Sequence, residues 1–176
     1  MFLSDLQQLT DCRRTLLPVL QDAERASEQF LDKGFSTVGL RALKSVKLQR
    51  AILLVGMFSI LESAIQAETG WAKEPMKKLK NWLRENGFDE LELAVTRFER
   101  VANTLKHGFG RSHADLKNDT ARNFAVRSGL GDADPDEYVD IDNLLVDVTH
   151  ELVEECADTI EQVVDLEIPK SIDKQL

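Results

Sequence analysis

The densest chemistry in this chain lies in four polar residues near its middle: Arg100, Asn103, Thr104 and His107. On one helix these spacings stack the side chains along a single polar flank within two turns. Arg100 and His107 then sit about 10 Å apart at their Cα atoms, because each residue adds ~1.5 Å of rise. A guanidinium keeps its charge and presents a fork of donors matched to phosphate oxygens. An imidazole gives and takes protons near neutrality. Asn103, one turn before His107, is placed to hydrogen-bond the ring or a bound group. The set has the parts to grip a phosphate and move a proton. An ordinary solvated helix face has the same pattern, and spacing alone leaves both readings open.

A helix over residues 88–107 must carry these groups. Leu91, Val95, Phe98, Ala102 and Leu105 form its narrow apolar stripe. At ~100° per residue, Arg100 and His107 point about 160–180° from the centre of that stripe. That direction faces solvent or another subunit. Gly108-Phe109-Gly110 ends the helix.

The rest of the chain supplies the scaffold. Residues 2–31 have helical period, with Pro18 expected to kink or split the helix. Residues 40–68 form the strongest helix candidate. Their 51–61 stretch is apolar almost all round, which predicts a central buried helix or one shared with a partner chain. A short basic amphipathic helix is expected over 75–86, with Pro75 in its first turn. Residues 111–142 read as a long polar connection, with a short helix around 113–123 and an extended piece at 138–142. A last helix is expected over 143–166, with Leu144, Val148, Leu152, Cys156, Ile160 and Val163 on one face. No alternating pattern calls for a sheet. The expected class is all-α: a compact helical bundle of about five helices in a single domain, 1–176.

Bulk properties narrow the function. Apolar residues make up 43% of 176, enough for one real core. The 51–61 stretch is too short to cross a bilayer, and the first residues lack a basic, apolar leader pattern, so no membrane association is expected. Two cysteines, Cys12 and Cys156, without ligand spacing suggest core thiols in a reducing compartment, and cytoplasm is the expected location. Net charge is −9, unevenly spread. Residues 132–167 hold fourteen acids and no Lys or Arg, whereas residues 97–127 hold seven Lys or Arg and three acids. Overall acidity argues against a general nucleic-acid coat and against DNA as a partner, but the basic surplus around Arg100 and His107 leaves room for a local anion site.

Other chemistries fit less well. His107, His113 and His150 lack the spacing of a metal site, and no cofactor is expected. Gly108 and Gly110 follow a helix rather than precede one, unlike a phosphate-binding loop. Ser112 and Ser128 lack a nucleophile-elbow context. The acids of 132–142 lack the pattern of a calcium loop and read as a solvated linker.

The segment from Arg100 through Asn103-Thr104-Leu105-Lys106-His107-Gly108-Phe109-Gly110 resembles the HEPN superfamily (higher eukaryotes and prokaryotes nucleotide-binding domains). That family places an Arg and a His near the end of a helix in a compact bundle, here as Arg-x6-His. The likeness in sequence covers residues 97–116. Elsewhere it is one of pattern: the chain length, the helical period and the apolar helix running into Leu61-Glu62. Two departures stand out: Val101 follows Arg100 where many members have a polar residue, and Phe109 stands where some have Tyr. The resemblance implies a metal-independent endoribonuclease, often the toxin of a toxin–antitoxin or defence system. It implies a homodimer with two copies of the motif lining one cleft. Carried over, His107 assists attack by a ribose 2′-OH or protonates the leaving oxygen, Arg100 stabilises charge on the phosphate, and Asn103 orients. Thr104, Lys106 and Arg111 flank the motif as candidates for substrate contacts. The implied partners are RNA and a cognate antitoxin or other protein. Other members are catalytically inactive interaction modules. In that case the chain binds a protein partner through its apolar helix or acidic tail.

Overall fold

The computed structural model describes residues 2–34, 36–128 and 144–169. The side chain of Cys12, the acidic run at 132–142 and the extended piece expected at 138–142 lie outside the described residues. Six helices follow in order: α1 Phe2–Asp32, α2 Ser36–Thr69, α3 Pro75–Glu85, α4 Asp89–His107, α5 Arg111–Asn118 and α6 His150–Val164. Among the described residues there is no strand, only an isolated antiparallel bridge between Val126 and Val146. The architecture is an all-α bundle, with six helices among the described residues where about five were expected.

α2 is the central element, as its apolar run requires. Leu54, Met57, Leu61 and Ala64 are buried in the common core. The whole of Thr37–Thr69 is long and apolar enough to cross a membrane by length and composition, although the 51–61 stretch by itself is not. In this fold the helix serves as core: 44% of its most apolar window is buried against its neighbours. α1 folds back along it as an antiparallel hairpin. Gly39 permits the close approach, since a Cβ there would lie within 2.9 Å of the Leu31 side chain and the Ser27 carbonyl. Arg50, almost fully buried, fixes the register by a fork to both oxygens of Glu24 on α1 at 3.0 and 2.7 Å.

α1 runs unbroken through Pro18, so of the expected kink or split the split does not occur. Proline costs one helical hydrogen bond and crowds the preceding turn. Here Pro18 is exposed, and contacts on both sides hold the helix in place. Leu17 and Leu20 pack into the core, and Arg13 reaches three carboxylates of α6: Glu154 at 3.0 Å, Asp158 at 2.8 Å and Glu161 at 3.2 Å. Those carboxylates and the hydrogen bond to Asp158 hold the Arg13 pKa up even though burial acts to lower it.

The last helix begins at His150, later than the expected 143. Leu145, Val146 and Val148 are buried in extended backbone instead. Arg127 N donates to the Leu145 carbonyl and Asp147 N to the Ala125 carbonyl, both at 3.0 Å, so the bridge claims these residues before a helix can. Thr149 then caps α6, its hydroxyl accepting from Leu152 N at 3.2 Å.

Candidate functional site

The site is assembled where α4 ends and α5 begins. α4 packs against α2, α3, α5 and α6. It therefore buries more of its surface than a single stripe: Val101 and Thr104 are buried together with Val95, Phe98 and Ala102. Gly108 ends the helix with a φ of +74, a conformation that a side chain would strain, and its N–H donates to the Thr104 carbonyl at 2.9 Å. Phe109 and Gly110 turn the chain, and α5 starts at Arg111, two residues before the 113–123 helix expected.

This turn encloses a cleft of about 300 Å3. Asn103 and His107 line it from α4, and Arg111 and Ser112 from the first turn of α5. Gly108, Phe109 and Gly110 complete the wall. The opening N–H groups of α5 have no acceptor within their own helix, and the start of a helix carries partial positive charge. Together with Arg111, whose side chain is 95% exposed, this end of the cleft is suited to an anion. Phe109 is half-exposed and meets the His113 ring edge-on at 5.1 Å between centroids. A half-exposed aromatic beside an anion-favouring helix start can stack a base while the phosphate sits next to it.

Of the expected site residues, the fold gathers three in the cleft: Asn103, His107 and Arg111. Arg100 stands one wall away. Its guanidinium turns to Asp115 on α5 at 3.5 Å and is part-buried under that helix, so it does not face away from the protein as the wheel predicted. Lys106 is exposed and outside the lining. Thr104 departs most: it is 1% exposed, on the core side of α4, and its hydroxyl has no partner among the described residues. The shared polar flank is thus Arg100, Asn103 and His107 without Thr104.

Asp115 and Asp119 contribute without any local signal from spacing, and His113 contributes as a structural tie rather than a metal ligand. Asp115 sits between two arginines, 3.5 Å from Arg100 and 4.0 Å from Arg111. Asp119 holds Arg97 at 3.2 Å. Asp115 on α5 and Asp119 just after it thus answer Arg100 and Arg97 on α4. His113 is buried and donates from Nε2 to the Arg127 carbonyl at 2.6 Å, which ties the loop after α5 to the helix that forms the cleft. The acids were visible as residues spaced to face α4 once α5 is docked. That docking is a tertiary event with no local signal.

Among known proteins, no family model, no curated protein and no solved structure matches this chain.

Proposed function

We propose that this chain is a metal-independent ribonuclease of the HEPN type, acting as the toxin of a toxin–antitoxin or defence pair in the cytoplasm. The observation that carries the reading is the convergence of Asn103, His107, Arg111 and the start of α5 on one cleft. A scissile phosphate would lie against the α5 N–H groups and Arg111, with a flanking base on Phe109. His107 takes the proton of the ribose 2′-OH or returns one to the leaving oxygen, and Asn103 orients the ring or the phosphate. Arg100 joins when the phosphate competes with Asp115 for it. The reaction needs only groups that hold charge and move protons.

A homodimer fits the same reading. Leu48 and Ile52 on α2 are exposed, as are Leu16 and Val19 on α1. Exposed apolar side chains of this kind are what a second copy would cover. A second reading is a catalytically silent helical module that binds a protein partner. One observation favours it: Arg100 is held by Asp115 outside the cleft.

Expression in a bacterial host tests the toxin reading. Wild type should arrest growth, and His107→Ala should relieve the arrest. Equal growth with both chains contradicts it.

A further inference from the structure

We infer that the end of the bundle formed by the C-termini of α2 and α6 docks a basic amphipathic segment of a partner protein. Two neighbouring cavities open there, of about 320 and 690 Å3, and both are lined by Asp165 and Leu166. The floor of the smaller one is core: Leu61, Ala64, Ile65 and Val163 are all buried. The larger one is bordered by the exposed ring of Phe88 and by Leu91. Five carboxylates rim the pair: Glu68, Asp89, Glu90, Asp165 and Glu167. Among the described residues no Lys or Arg lines either cavity, and none of the five acids has a cationic partner.

Helix electrostatics separates these acids into two kinds. Asp89 and Glu90 sit in the first turn of α4, where negative charge complements the helix dipole, and the fold itself accounts for them. Glu68 lies in the last turn of α2, Asp165 directly follows α6, and Glu167 lies two residues further on. Negative charge there opposes the dipole, and neither helix has a basic residue in its last turn to offset it. Among the described residues no cation offsets these three carboxylates at two negative helix ends, and their charge there works against stability. A cationic partner answers all three.

The shape selects the kind of partner. A point charge would not use an apolar floor, and a small ligand would not span two cavities with acids on both sides. A segment with a bulky apolar side chain in the smaller cavity, flanked by Lys or Arg that reach Glu68, Asp165 and Glu167, matches both features. Pockets of this kind begin at about 300 Å3, so the smaller cavity has room for such an anchor.

The test uses the full chain and a synthetic helical peptide of Leu and Lys at amphipathic spacing, with binding read by fluorescence anisotropy at fixed salt. Neutralising Glu68→Gln, Asp165→Asn and Glu167→Gln together should weaken binding by about tenfold or more. Filling the smaller cavity by Ala64→Leu should weaken it by a similar factor. The neutralised variant should melt no lower than wild type, because it loses only charges that oppose the helix ends. Three results overturn the proposal: no binding by wild type, equal binding by both variants, or equal binding of a peptide in which every Leu is replaced by Ser.

Discussion

The guanidinium of Arg100 meets the Asp115 carboxylate at 3.5 Å across the joint between α4 and α5, and Arg111 approaches the same carboxylate at 4.0 Å. One acid thus stands between the arginine of the motif and the arginine of the cleft. On the proposed ribonuclease reading, a phosphodiester, which carries the same single charge as the Asp115 carboxylate, has to compete with it for Arg100. The same carboxylate lowers the local positive field around the cleft.

Replacing Asp115 by Asn should therefore free Arg100. Affinity for a short single-stranded RNA should rise roughly 3- to 10-fold at low salt, and the salt dependence should steepen by about one phosphate contact. Stability should fall by less than about 1 kcal/mol, because both partners are about one-third exposed and water screens the pair. Anisotropy titrations at several salt concentrations measure both quantities. Unchanged or weaker RNA binding would show that Arg100 plays no part in anion capture.

The hairpin of α1 and α2 makes a stronger claim. Arg50 is 2% exposed and forks onto Glu24. Glu24→Gln strands that guanidinium in the interior and should cost about 3 kcal/mol, the lower end for a buried pair. The exposed counterpart Asp11→Asn, which only loses Arg14 on the surface, should cost under ~0.5 kcal/mol. Urea melts of the two variants decide between them, and equal midpoints would mean that the buried pair does not hold the hairpin.

Acid sensitivity should be traceable in part to Glu151. Its own backbone N–H and the Thr149 side chain hold the carboxylate below its ordinary value of 4.5. A depressed folded pKa contributes stability above that value, and the contribution disappears as pH falls through the folded pKa. Glu151→Gln should therefore lower the melting temperature at pH 7 and leave it unchanged well below pH 4, with the two curves converging on acidification. Curves that run parallel across that window would remove Glu151 from the acid response.

Much of the scaffold is legible in the residues. α3 and α4 begin and end within a residue of where helical period, Pro75 and Gly108 put them, and α2 ends one residue past its expected end but begins at Ser36, four residues before the expected 40. Pro18 misleads because its penalty is local, whereas the packing of Leu17, Leu20 and Arg13 that outweighs it is not. The start of α6 misleads because a short apolar run such as 144–148 suits a helix or an extended segment equally, and only the bridge from Val146 to Val126 decides it. At the site, Asn103 and His107 follow directly from spacing. Thr104 does not, since a helix packed by four neighbours buries flanks that a single stripe leaves wet. The redirection of Arg100 follows from α5 folding back onto α4, which no local pattern announces.

The most direct test is the rate at which the purified chain cleaves a short single-stranded RNA at fixed salt with excess chelator. The account predicts cleavage by wild type and a loss of about 100-fold or more in His107→Ala, the scale of a missing proton-transfer group. Identical rates for the two chains, whether both cleave or both are inert, would contradict it.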